Sequence, residues 1–149
     1  MKIYLGTDHA GFLLKEEIKD HLIRGGHEVV DCGALEFDED DDYPQNIYKV
    51  AQAVSHNADA RAIIFGGSGQ GEAIVANRFK GVRACVYYSE NLDIIDASRE
   101  HNNSNVLSFG ARFIGAEHAI EAVDRWLSKP FSREERHQRR IDQIDSLNV

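Results

Sequence analysis

Four glycines fall within the six residues Gly66-Gly67-Ser68-Gly69-Gln70-Gly71, and a carboxylate, Glu72, follows directly. Backbone free of Cβ atoms turns tightly enough for successive N–H groups to converge on one anion ahead of a helix. Two familiar uses of such a loop fail here. A dinucleotide fingerprint starting at Gly67 needs a third glycine at position 72, and a P-loop needs lysine there, but the residue is glutamate. A phospho-receiver would end the preceding strand in aspartate, and this strand ends in Gly66. The chemistry left is that of a small developing anion with a carboxylate beside it. The competing reading is structural: an acid in a first helical turn complements the helix dipole.

Three further groups have side chains suited to chemistry. Asp8 and His9, in Gly6-Thr7-Asp8-His9-Ala10-Gly11, form an acid/base or phosphate-contact pair, with helix capping as the alternative for Asp8. Arg136 and Arg140 are spaced i,i+4 and so share a helix face, where like charges repel unless an anion sits between them. Phosphate matches the guanidinium fork, while Glu134 and Glu135 offer a purely local partner. His101 stands in Arg99-Glu100-His101-Asn102-Asn103, whose asparagines also suit a helix stop. Six acids within residues 36–42 read as a solvated loop. The seven histidines show no ligand-type spacing, so no metal is expected.

The elements that must position these groups alternate along the chain. Strand-like runs at 2–7, 28–32, 61–66, 83–87 and 105–109 are separated by helix-like runs. Ala62-Ile63-Ile64-Phe65 and Ala84-Cys85-Val86-Tyr87 are apolar without alternation, the pattern of strands covered on both faces. Helical spacing of apolar residues spans 12–23 and stops at Gly25-Gly26; a second helix opens at Pro44. Others run from the glycine loop to Ala76, over 90–99 and over 115–127, and a polar helix starts near Ser132. The expected fold is a single α/β domain over residues 1–149. It is a Rossmann-like or flavodoxin-like doubly wound sheet of five parallel strands, with an extra C-terminal helix that packs on or reaches into a partner.

Ligands of such sheets bind outside the carboxyl ends of the strands. Thr7-Asp8-His9, the glycine loop and Gly110-Ala111-Arg112 all fall there. His101 precedes the fifth strand and therefore lies at the opposite edge. If it acts with Asp8 and Glu72, it must come from a second subunit, and the protein is at least a dimer with shared sites.

Composition sets the outer limits. The 149 residues carry 17 Lys and Arg against 25 Asp and Glu, a net charge of −8. That balance opposes general nucleic-acid binding and anionic membrane surfaces while leaving room for one locally basic site. No apolar run approaches the length of a membrane span, and the amino-terminal residues lack a signal-peptide layout. A cytoplasmic location is the expectation. Cys32 and Cys85 have no paired spacing and are expected as buried free thiols.

Taken together, Gly6-Thr7-Asp8-His9-Ala10-Gly11, Asp42-Tyr43-Pro44, Gly67-Ser68-Gly69-Gln70-Gly71, Ala76-Asn77, Arg99-Glu100-His101-Asn102-Asn103, Gly110-Ala111-Arg112 and Arg136-His137-x-Arg139-Arg140 resemble ribose-5-phosphate isomerase type B. That type lies within the ribose/galactose isomerase group, and the resemblance runs from residue 2 to about 145. It implies a Rossmann-like fold, aldose–ketose isomerisation without metal or cofactor, and homodimers or dimers of dimers whose sites draw on both subunits. Many members carry a cysteine base where this chain has Gly66. The chain instead looks like an actinobacterial-type branch in which the base is a glutamate at the position of Glu72. Segment 88–98 is longer than in that branch and leaves the preferred sugar open.

The resemblance assigns roles as follows. Glu72 moves the proton between the two reacting carbons, and His101 with Asp8 opens the sugar ring. Ser68 and the backbone of Gly67, Gly69, Gln70 and Gly71 hold the developing oxyanion. His9, Arg112, Arg136 and Arg140 hold the phosphate, and Asn102 a sugar hydroxyl. Two alternatives stand beside ribose 5-phosphate. One is a six-carbon substrate, allose 6-phosphate or galactose 6-phosphate, although galactose-type members often divide these residues between two different chains. The other is a non-catalytic module that binds phosphosugars.

Overall fold

The computed structural model describes residues 1–147; Asn148 and Val149, the end of the expected domain, lie outside the described residues. The order is β1 (Lys2–Thr7), α1 (Phe12–Arg24), β2 (Glu28–Asp31), α2 (Tyr43–Ser55), β3 (Arg61–Gly66) and α3 (Gln70–Ala76). There follow β4 (Ala84–Tyr87), α4 (Asp93–Glu100), β5 (Val106–Gly110), α5 (Ala116–Ser128) and α6 (Glu135–Asp145). A 3₁₀ turn at His9–Gly11 leads from β1 into α1.

All strand pairs are parallel, and the sheet order is β2-β1-β3-β5-β4. Side-chain alternation along the central strands builds two separate cores. Ile63 and Phe65 of β3 point to one face, with Leu14, Ile18 and Leu22 of α1, Ile95 of α4, and Val123 and Trp126 of α5. Ala62 and Ile64 point to the other, with Ile47, Val50 and Val54 of α2 and Ala76 of α3. This doubly wound arrangement is the expected one. The flavodoxin order 2-1-3-4-5 is not followed, because β5 inserts between β3 and β4.

That insertion corrects one sequence expectation. The run at 84–87 reads as a strand covered on both faces, but β4 is an edge strand and only Tyr87 within it is fully buried. The same geometry leaves Cys85 partly exposed, and Cys32, just past the end of edge strand β2, is partly exposed too; both are free thiols. β5 shows the converse: Ser108 is polar, yet all five residues of the strand are buried. Ser108 is accommodated because its hydroxyl donates to the Gly69 carbonyl at 2.7 Å.

The carboxyl ends of β1, β3 and β5 come level, with Thr7 opposite Phe65 and Gly66 opposite Gly110. No described helix is long and apolar enough to cross a membrane. At the other edge of the sheet, α6 buries His137 and Ile141 against its own chain. Arg83, just before β4, comes within 3.8 Å of Asp145 near the end of that helix.

Candidate active site

The glycine loop is shaped by the end of β5. After β3, pairing continues through the Ala111 and Arg112 amides, which donate to the carbonyls of Gly66 and Gly67 at 2.8 and 3.1 Å. Gly69 then adopts φ 74°, and a Cβ there would press on the Phe109 carbonyl at 2.9 Å. Glycine is required at this point by both conformation and space. The chain enters α3 one residue later with its first-turn amides free of intrahelical acceptors. The Gln70 N–H is taken by the Ser68 hydroxyl at 3.3 Å.

Glu72 is 4% exposed, an unusual setting for a carboxylate without a cationic partner among the described residues. Its carboxyl group occupies the volume that a Cβ on Gly66 would fill. Burial raises its pKa, its own amide pulls the other way, and the nearby Asp8 charge raises it further. Those are the conditions for a base that works near neutral pH. The first-turn acid of the sequence reading is thus an inward-facing, desolvated group rather than a surface complement to the dipole.

Asp8 is nearly buried and caps the 3₁₀ turn, its Oδ1 accepting from the Ala10 and Gly11 amides at 3.0 and 3.4 Å. Capping engages Oδ1 alone and leaves Oδ2 outside those bonds. His9 is oriented by Asp41, whose Oδ1 accepts from the His9 backbone amide at 2.9 Å and lies 2.8 Å from Nδ1. The hydrogen bond to Asp41 raises the His9 pKa against the effects of desolvation and of the nearby Arg112 charge. Arg112 lies across Gly67: a Cβ there would sit 3.2 Å from its guanidinium. Asp8, His9, Ser68, Glu72, Arg112 and the loop Gly67–Gly69–Gln70–Gly71 therefore meet at the carboxyl edge of one chain.

Four sequence candidates do not join them. His101 caps the end of α4, ahead of β5, and its ring lies 4.4 Å from that of His137 on α6. Asn102 follows it, and its carbonyl accepts from Arg83. Arg136 and Arg140 are exposed on α6. Arg136 pairs locally with Glu134 at 2.8 Å, whereas Arg140 has no ion pair among the described residues. Since β5 separates the two edges by roughly 13 Å of strand, these groups cannot reach Glu72 within one copy of the fold.

Three residues at the site were given no role in the sequence analysis. Asp41 belongs to the acidic run read as a solvated loop, yet it fixes His9. Tyr43 stands over Gly71, where a Cβ would meet its ring and hydroxyl at 2.6 Å. Tyr88 accepts from Gln70 Nε2 at 3.4 Å, so segment 88–98 does form a wall of the loop. The available signal was positional: residues 32–42 follow β2 and 88 follows β4, and loops after parallel strands open onto the ligand edge.

The family model for ribose/galactose isomerases matches residues 3–144. The chain belongs to that family. It is 42% identical over 142 residues to ribose-5-phosphate isomerase B of Mycolicibacterium paratuberculosis, covering 95% of this chain and 88% of that protein. It is also 42% identical over 149 residues to the enzyme of the same name from Escherichia coli, covering 98% and 95%. Among solved structures, ribose-5-phosphate isomerase B from Mycoplasma genitalium with bound ribulose-5-phosphate superposes with a TM-score of 0.91 at 39% identity, covering 97% of this chain and 93% of that one.

Proposed function

We propose that this isomerase interconverts ribose 5-phosphate and ribulose 5-phosphate through an enediolate, with Glu72 as the base. The observation that carries this is the desolvated Glu72 carboxyl lodged against Gly66 at the mouth of the glycine loop. The names of the relatives and the ribulose 5-phosphate bound in the Mycoplasma structure support the substrate.

His101 of a second copy, with Asp8, transfers the proton between the ring oxygen and the anomeric hydroxyl and frees the aldehyde. Glu72 removes the C2 proton; the electron pair forms the C1=C2 bond, and the carbonyl oxygen takes the negative charge. Loop amides and the Ser68 hydroxyl face that charge, and one such donor is worth about 3–4 kcal/mol of barrier. Glu72 returns the proton to C1, and a proton passes from O2 to O1. His9 and Arg112, with Arg136 and Arg140 of the second copy, hold the phosphate, and Asn102 a hydroxyl. Binding energy at that remote end orients the reacting carbons. The reading includes a homodimer or dimer of dimers and a cytoplasmic setting.

The direct test is proton NMR with ribose 5-phosphate in D2O with EDTA present. Ribulose 5-phosphate carrying deuterium at the exchanging carbon is expected. Turnover of allose 6-phosphate alone would change the substrate, and ligand binding without any exchange would replace catalysis by a binding module.

Sharing of sites has its own test. Glu72→Gln and His101→Ala homo-oligomers are each expected to be nearly inactive. Random mixing of the two as dimers restores about a quarter of the wild-type sites, because each mixed dimer holds one intact set. No recovery on mixing would mean that the sites are not shared between subunits, and an active His101→Ala oligomer would place His101 outside the reaction.

His9 gives a pH prediction. Its raised pKa keeps it cationic to higher pH, so KM should climb as pH rises through that value. Asp41→Asn removes the main cause of the shift, moves this limb to lower pH and raises KM near neutrality about tenfold, with kcat little changed. Steady-state kinetics from pH 6 to 9 would show it.

A further inference from the structure

A cavity of about 620 Å³ opens at the amino-terminal edge of the sheet, away from the glycine loop. Four arginines, Arg61, Arg83, Arg99 and Arg133, line it, and Asp59 is the one carboxylate among its lining side chains. On a protein of net charge −8 this is a concentrated positive site.

The arginines are held by neutral acceptors, so their charges are fixed in place and left uncancelled. Arg61 donates through Nη1 to the Trp126 and Leu127 carbonyls at 3.2 and 2.9 Å. Arg99 donates through Nε to the Lys129 carbonyl and through Nη1 to Asn103 Oδ1 and the Ser104 carbonyl. Arg83 reaches the Asn102 and Asn103 carbonyls through Nε and the Gly81 carbonyl through Nη1. The Nη2 group of each lies outside these bonds. Among the described residues neither Arg61, Arg99 nor Arg133 forms an ion pair, and Arg83 has only Asp145 at 3.8 Å.

Arg99 is 4% exposed. A guanidinium buried to that degree is costly without a counter-charge. Burial, and then the charges of Arg61 and Arg83, lower its pKa to about 10. Arg133 sits at the rim with φ 57°, a conformation disfavoured for residues with a Cβ.

We propose that this cavity binds a multiply charged oxyanion of the phosphate class, at a site separate from the sugar-phosphate site. Guanidinium forks presenting free Nη2 donors around one space match tetrahedral oxyanions. The cavity is also distinct from the Arg136–Arg140 face. Gln138, the α6 residue that lines it, lies roughly 160–200° around the helix from both arginines. The bound anion would rest against the segment that carries His101, since Arg83 and Arg99 hold the carbonyls of residues 102–104.

Pyrophosphate is the probe, followed by calorimetric titration and by Tm. The background is an Arg112→Ala, Arg140→Ala double variant, which strips guanidinium groups from the proposed sugar-phosphate site. Pyrophosphate is expected to bind it and raise its Tm. Adding Arg133→Glu, an exposed change, should weaken that binding about tenfold or more, and Arg61→Gln should do the same. In an otherwise unmodified chain, Arg133→Glu should leave kcat unchanged, which verifies the fold. Absence of binding in the double variant, or a Kd that neither added substitution alters, overturns the proposal.

Discussion

Glu72→Gln is expected to lower kcat about 10³-fold while KM stays within a few-fold, because the amide keeps the shape of the side chain and loses only its basicity. The same substitution should stabilise the protein at neutral and alkaline pH. Glu72 has a raised pKa in the folded chain, first through burial, so the native state favours its protonated form. Stability associated with that proton is complete in acid and is lost as pH rises through the raised value. Glutamine carries no such cost. The Tm advantage of the variant should therefore be small near pH 4 and grow through the neutral range. Loss of rate with a Tm gain of this pH dependence identifies a desolvated base; loss of rate with a pH-independent drop in Tm would mark Glu72 as structural. In the unmodified enzyme the acid limb of kcat should lie above the ordinary glutamate range for the same reason.

Gly66→Ala should cost nearly as much activity through one methyl group. The added Cβ would overlap the Glu72 carboxyl, so the base must leave its position, and a displacement of that order costs about 10²-fold or more. Gly66 does not have a positive φ, so the loss cannot be assigned to backbone strain. A double-mutant cycle makes the prediction specific. In a Glu72→Gln background the additional activity cost of Gly66→Ala should be slight, because the base it displaces is already absent. Equal costs in both backgrounds would mean that the methyl disturbs the loop itself.

Both predictions concern a residue whose importance was half legible. The sequence placed Glu72 after a glycine loop at a strand end, but acids in first turns ordinarily face water. Its inward direction depends on empty space at Gly66, which is created by the packing of β3 against α3 and is not encoded by local spacing. Asp41 illustrates the reverse error. Within six acids in seven residues, one carboxylate reads like the next, and only the return of that loop over β1 selects Asp41 as the partner of His9. The separation of His101 and Asn102 from the rest of the candidates was visible from chain order alone, because a residue before a parallel strand and one after it lie at opposite edges; that of Arg136 and Arg140, which follow the last strand, was not.

The sequence by itself determined which segments are strands and helices, that the sheet is parallel and doubly wound, and which edge carries the glycine loop. Apolar periodicity, Gly25-Gly26 and Pro44 are local signals, and each acts within a few residues of where it is written. It did not determine that β5 lies between β3 and β4, that β4 is therefore an edge, or which cations stand together around the arginine-lined cavity. Strand order and charge clustering arise from contacts between residues far apart in the chain. An apolar run satisfies its pattern equally well beside either neighbour, and an arginine is the same residue whether it meets a carboxylate or a carbonyl. Only the packed tertiary structure makes that choice.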